Sequence, residues 1–174
     1  MSRKLISHRG NLYASDYSGN PFENTPDYID NAIRRGFDVE IDVRVNKGII
    51  FLGHDTMITP IPLQYLRDRY EYLWIHLKNH EAVNFFLNSV EQSLYNYFWH
   101  EDDTLSITSK GYIWTSDWAS VTGGLKTILM SSAYNNPVES GIDPINLFTL
   151  LKKYDGICSD NIVGVQDGFD RFGN

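Results

Sequence analysis

A single cysteine, Cys158, in 174 residues excludes an internal disulfide, so packing and hydrogen bonds alone must hold the fold. Long apolar runs are missing too. None approaches the ~20 residues that span a bilayer, and the chain enters Leu5-Ile6 without the apolar region of a secretory leader. The expectation is a cytoplasmic protein with no stable membrane insertion. Positive charge is scarce: 15 Lys and Arg face 22 Asp and Glu, a formal net charge of -7, and the basic residues form no run. This excludes the electrostatic footprint of a nucleic-acid binder or of a protein drawn to an anionic membrane. A small anionic substrate held by a few local cations remains compatible. Linkers, internal repeats and composition shifts are also missing, which leaves one domain. What the chain has in quantity is apolar surface, 42% hydrophobic and 14% aromatic, enough at this length to bury roughly 70% of its unfolded surface.

The polar residues that interrupt the apolar segments are concentrated. His8 follows Leu5-Ile6-Ser7, Glu40 and Asp42 alternate with Val39, Ile41 and Val43, and His54 follows Ile49-Ile50-Phe51-Leu52-Gly53. A strand's period of two places both carboxylates on one face. Adjacent carboxylates repel and raise each other's pKa unless a cation lies between them, which points to a hard divalent ion. His8 and His54 flank that position. Two imidazoles facing one substrate can serve as base and acid near neutrality, and Arg9 and Lys78 add fixed positive charge suited to a phosphate. Singly, each histidine reads as an ordinary surface or core residue; their joint placement around Glu40 and Asp42 favours function.

In order and spacing, His8-Arg9-Gly10, Glu23-Asn24-Thr25, Glu40-Ile41-Asp42 and His54-Asp55 resemble the glycerophosphodiester phosphodiesterase family, within the superfamily of phospholipase-C-like phosphodiesterases. The likeness covers about the first third of the chain. It implies an α/β fold, a TIM-type (β/α) barrel, in which Glu40 and Asp42 bind a divalent cation and His8 and His54 run acid–base chemistry. The family's next strand carries Glu-x-Lys; here the segment reads Trp74-Ile75-His76-Leu77-Lys78, so Lys78 matches and His76 stands where an acidic metal ligand is expected. The resemblance implies Mg²⁺ or Ca²⁺, whereas His76 as a ligand suits Mn²⁺ or Zn²⁺ better. Loss of the metal, or closure of the shell by Glu101 or Asp102 in His100-Glu101-Asp102-Asp103, are the alternatives this departure leaves open. Asp155-Gly156 before the last apolar run and Asp160 after it resemble the family's last barrel strand.

Such barrels run to about 250 residues, so this one is expected to be shortened or incomplete, with residues 1–165 forming the barrel domain and 166–174 a polar tail. Seven barrel strands are legible, at 5–7, 37–45, 72–77, 95–99, 111–114, 127–130 and from 156 onward. Residues 49–52 pair with the second through an Asn46-Lys47-Gly48 turn. Thr25-Pro26 opens a helix that Gly36 stops. Residues 79–95 read as a helix with Ala82, Val83, Phe86, Leu87 and Val90 on one stripe, and 144–154 as another. The segments between residues 99 and 144 are short and polar rather than helical.

The function expected is metal-dependent cleavage of a small soluble glycerophospho- or sugar-phosphodiester. The competing reading is a decayed relic that binds phosphate through Arg9 and Lys78 alone. Lipid-directed activity would need an exposed apolar loop, for which residues 58–62 are the one stretch. Tyr112, Trp114 and Trp118 read as core or rim packing, Cys158 as buried packing, and His100, Glu101 and Asp160 as secondary site candidates. Open strand edges in a shortened barrel favour a homodimer.

Overall fold

The apolar alternation in β2 (Asp38–Asn46) organises the molecule, because its two faces meet two different interiors. Val39, Ile41 and Val43 are fully buried and face the helices: they join Ile29 and Ala32 of α1 (Pro26–Arg34), Leu66 of α2 (Leu63–Arg67), Ala82 and Phe86 of α3 (His80–Leu87), Leu147 and Leu151 of α4 (Pro144–Leu151) and Val165 of α5 (Ile162–Phe172). A second, smaller core gathers Ile6, Trp74, Phe98, Trp114, Ile128 and Cys158, each from a different strand. The strands are β1 (Lys4–His8), β3 (Ile49–Leu52), β4 (Thr59–Ile61), β5 (Leu73–Leu77), β6 (Asn96–Phe98), β7 (Leu105–Ile107), β8 (Ile113–Thr115), β9 (Thr127–Met130) and β10 (Gly156–Ser159). These elements come from a computed structural model that describes residues 3–16, 20–117, 126–131 and 143–172.

The pairing is that of a shortened (β/α) barrel. Seven strands run parallel in the spatial order β6-β5-β2-β1-β10-β9-β8. The remaining three are antiparallel additions: β3 and β4 extend the far half of β2, and β7 pairs with β8. Lys47 and Gly48 both take positive φ, 50° and 76°, the backbone of the tight β2–β3 hairpin. The barrel's ends, β6 and β8, are not hydrogen-bonded to each other. The turn before β8 spans the gap, with Ser109 N donating to Tyr97 O at 2.7 Å and Ser109 Oγ accepting from Tyr97 N at 3.0 Å. Stacked Phe98 and Trp114 rings, 4.7 Å apart, fill the space behind it.

The seven expected barrel strands are therefore the seven parallel strands, and among the described residues no helix lies between α3 and α4. Three expectations fail. The helix placed at 79–95 ends at Leu87, where Asn88 takes the last position and its side chain bonds back to Asn84 O; Val90, placed on its apolar stripe, is 99% exposed and Leu87 is exposed as well. Residues 166–172, expected in a polar tail, continue α5, whose Gly168 lies against the ring of Phe148 and whose Phe169 stacks edge-on to the same ring at 5.0 Å. Thr25 does not cap α1 with its side chain: its hydroxyl donates to Phe22 O at 2.6 Å instead, leaving Pro26 as the start signal. Trp118 lies outside the described residues. Among the described residues no helix is long and apolar enough to cross a membrane.

Candidate metal centre

The C-terminal ends of β1, β2, β5 and β10 converge on one polar cluster, and local backbone chemistry explains how each side chain arrives there. β1 ends at His8; Arg9 and Gly10 then take positive φ, 54° and 86°, which turns the chain sharply and sends Arg9 back over β2. Glycine is required at the second position, since a Cβ on Gly10 would sit 2.9 Å from the Tyr28 carbonyl carbon on α1. Arg9 N donates to Glu40 O at 2.9 Å, and Asn24, itself at positive φ, donates its backbone N to Arg9 O at 2.8 Å. The Asn24 amide brackets Asp42, accepting from its N at 3.2 Å and donating to its O at 3.0 Å. Gly53 N also donates to Asp42 O, at 3.1 Å, so the turns carrying Glu23 and His54 are both fastened to one residue of β2.

Glu40 and Asp42 are buried, with His76 beside them in register on β5. His76 Nδ1 lies 3.4 Å from Asp42 Oδ1 and 3.7 Å from Glu40 Oε1. One donor atom from each of these three residues falls within 4.8 Å of the others. Asp42 Oδ1 and Oδ2 and Glu40 Oε2 are buried with no hydrogen-bond donor. Arg9 Nε lies 2.7 Å from Asp42 Oδ2 as a charge contact whose N–H is not aligned for a hydrogen bond. Buried acceptors left this way cost several kcal/mol on the scale of ~1–3 each unless a cation takes them up. Two carboxylate oxygens and an imidazole nitrogen gathered in this way fit a divalent ion.

Electrostatics separates the two carboxylates. Burial, reinforced by the neighbouring Asp42 charge, pushes the Glu40 carboxyl up to about 8. Burial acts on Asp42 in the same sense, but His76, Arg9 and His54 outweigh it and hold Asp42 below the usual carboxylate range. Burial also lowers His76, against the pull of Asp42, keeping it the neutral donor a metal requires. Burial would lower His8 as well, but Asp160 and Glu40 reverse the sign and raise it. His8 Nδ1 lies 2.7 Å from Asp160 Oδ1, and because an ionised carboxylate only accepts, Nδ1 carries the proton. His8 Nε2 faces Glu40 Oε2 at 3.8 Å. Asn11 Nδ2 holds the same Asp160 oxygen at 2.8 Å, which fixes the carboxylate that fixes the imidazole.

A cavity of about 450 Å³ opens over the cluster and brings together His8, Arg9, Glu40, His54, His76 and Lys78. His54 sits at the mouth, 39% exposed, with Nδ1 2.7 Å from Asp55 Oδ1 and Nε2 3.4 Å from Lys78 Nζ. His100, Glu101, Asp102 and Asp103 line the rim; His100 stacks on His76 at 4.5 Å, and the ligand group found among the described residues is Glu40, Asp42 and His76, without the rim acids. Asp160 lies at the centre through His8. Trp114 is buried and borders the cavity, Tyr112 packs edge-on to Trp74, and Cys158 is buried with its thiol pushed well up by burial. Sequence reasoning missed Asn11, and placed Asn24 within the Glu23-Asn24-Thr25 match without its positioning role. Asn24 carried a signal, an asparagine beside a helix start, where left-handed backbone is tolerated; Asn11 carried none.

Carboxylates, imidazoles and cations gathered at strand C-terminal ends place the chain among (β/α) barrels with a metal-competent centre in their usual active-site position. No protein-family model and no curated protein matches the chain in sequence. Among solved structures it is similar to a glycerophosphodiester phosphodiesterase from Agrobacterium tumefaciens str. C58, with a TM-score of 0.55 and 16% identity over 95% of this chain and 98% of that one. It is also similar to two proteins from Parabacteroides distasonis ATCC 8503. One is a glycerophosphodiester phosphodiesterase, with TM-score 0.52 and 12% identity over 98% of both chains. The other is a glycerophosphoryl diester phosphodiesterase, with TM-score 0.51 and 14% identity over 98% of this chain and 87% of that one. The chain has the fold of the glycerophosphodiester phosphodiesterases.

Proposed function

We propose that the chain is a metal-dependent phosphodiesterase acting on a small soluble glycerophospho- or sugar-phosphodiester. The observation that carries this reading is the buried group of Glu40, Asp42 and His76, whose carboxylate oxygens Glu40 Oε2 and Asp42 Oδ1 and Oδ2 are left without hydrogen-bond donors directly beside a carboxylate-held histidine. Glu40, Asp42 and His76 would hold a divalent ion, which would supply Lewis-acid polarisation of the phosphate. Arg9 and Lys78 bind the phosphate oxygens and oppose the charge that builds on them as the bond to the leaving alcohol breaks. His8, with Nδ1 held by Asp160, receives at Nε2 the proton of the attacking oxygen, which comes from water or from a hydroxyl next to the phosphoester. His54, steadied by Asp55, returns a proton to the leaving alkoxide. Attack by a neighbouring hydroxyl gives a cyclic phosphate first; attack by water gives the monoester directly.

The test is turnover of a panel of glycerophosphodiesters and an aryl phosphodiester by metal-stripped protein after addition of Mg²⁺, Ca²⁺, Mn²⁺ or Zn²⁺. The expected outcome is metal-dependent cleavage, with kcat reduced about 10²–10⁴-fold in His8→Ala. Asp160→Asn should lower kcat with little change in KM, since Asp160 acts through His8. Absence of cleavage with every ion, together with no retained metal by elemental analysis, would leave only phosphate binding by Arg9 and Lys78.

A further inference from the structure

A second cavity lies at the end of the barrel opposite the candidate metal centre. It measures about 560 Å³, a size that suits a small-molecule ligand, and is lined by Arg3, Lys4, Tyr112, Lys126, Lys152, Tyr154 and Asp155. Lys4 opens β1, Tyr112 immediately precedes β8, Lys126 precedes β9 and Asp155 precedes β10, so the N-terminal ends of four adjacent parallel strands form its wall. Among the described lining residues, four of the 15 basic side chains of an acidic chain meet one acidic residue.

The charges are also poorly neutralised from within. Lys4 pairs with Asp38 at 2.8 Å, but among the described residues no carboxylate lies within ion-pair distance of Arg3, Lys126 or Lys152. Arg3 is held in place by backbone instead, donating Nε to Tyr154 O and Nη2 to Lys152 O, both at 3.3 Å, with its guanidinium 4.2 Å from the centre of the Phe169 ring. That fixes its direction without cancelling its charge. Lys126 Nζ stands 5.2 Å from the centre of the Tyr112 ring. Burial lowers the Arg3 pKa and the Asp155 charge only partly offsets it. Cations gathered in a partly desolvated hollow repel one another, and a multiply charged anion relieves that repulsion while accepting from several N–H donors at once.

We infer that this hollow is a binding site for a soluble phosphorylated small molecule carrying two or more negative charges, separate from the metal centre. Its anionic groups meet Arg3, Lys126 and Lys152, and Tyr112 offers a half-buried ring for the remainder of the molecule. The site is independent of the activity proposed above, because none of its residues borders the catalytic cavity.

Calorimetric titration with inorganic pyrophosphate and with ADP, in EDTA so that no metal recruits the anion, tests this. Wild type and Lys78→Ala protein should both show the site, while Lys126→Ala/Lys152→Ala should bind at least about tenfold more weakly. Both lysines are exposed, so the double variant should melt as wild type does. Binding that is unchanged in the double variant, or that disappears in Lys78→Ala, overturns the inference. So does binding to vesicles containing a phosphoinositide with none to either soluble anion.

Discussion

Glu40 is the residue through which metal, charge and stability are coupled. In a protein free of metal its carboxyl is pushed up to about 8 by burial and the Asp42 charge, whereas an unfolded glutamate titrates near ~4.3. A group whose folded pKa is raised contributes stability that is complete below the unfolded pKa and is lost as pH rises through the folded one. The melting temperature of EDTA-treated protein should therefore fall between about pH 5 and pH 9, and a saturating divalent ion should flatten that decline by favouring ionised Glu40. Glu40→Gln should flatten it without metal and respond weakly to added ion. Parallel curves for wild type and Glu40→Gln would remove Glu40 from this role. The carboxylate pair was legible in the sequence because a period of two needs only neighbouring positions to place Glu40 and Asp42 on one face. The partnership of His8 with Asp160 spans most of the chain and depends on β1 lying beside β10, a pairing that local pattern cannot supply. For the same reason Asn11 passed unnoticed, while His54 was found but stands at the rim rather than inside the cluster.

Among the elements, the strands were easier to read than the helices. Strand segments such as Leu73–Leu77 carry apolar residues on both faces, Leu73, Ile75 and Leu77 on one and Trp74 on the other, because helices cover one side and the barrel interior the other. α3 shows how a helical stripe misleads. Ala82 and Phe86 do face the core, and the apolar residues at 87 and 90 continue the same spacing, but Asn84 and Asn88 close the helix through side-chain hydrogen bonds. Hydrophobic periodicity carries no information about such a stop. Phe86→Ala should cost about 3–5 kcal/mol, whereas Val90→Asp should change stability by no more than about 0.5 kcal/mol; urea unfolding of both variants checks this. A comparable loss at Val90 would mean that the helix extends to the length its pattern indicates. α5 errs in the opposite sense. Its polar residues Gln166, Asp167 and Asp170, which made it read as a tail, face outward, and Gly168 is what lets Phe148 approach.

At the scale of the whole molecule, the seven parallel strands among the described residues enclose an interior that an eighth would ordinarily help to close. The barrel compensates with large rings. Trp74, Phe98 and Trp114 occupy the lumen between the basic hollow at one end and the metal centre at the other, and their contacts at 4.7 and 5.9 Å bridge the β6–β8 gap. The aromatic richness of the chain announced rings without saying where they would go, because the gap exists only once the sheet has curled. Across that gap the Ser109 hydroxyl makes two hydrogen bonds, accepting from Tyr97 N and donating to Tyr95 O, each at 3.0 Å. Ser109→Ala removes both and leaves a backbone donor and acceptor short of a partner, a loss of about 1–3 kcal/mol. If this turn is the closing element, amide exchange at Tyr97 should quicken in the variant far more than at Val39, whose N–H bonds to Tyr72 O in the β2–β5 pairing, inward of β6. Equal acceleration at both amides would mean that the variant loosens the barrel globally, and no acceleration at Tyr97 would leave the stacked rings as the seam's main support.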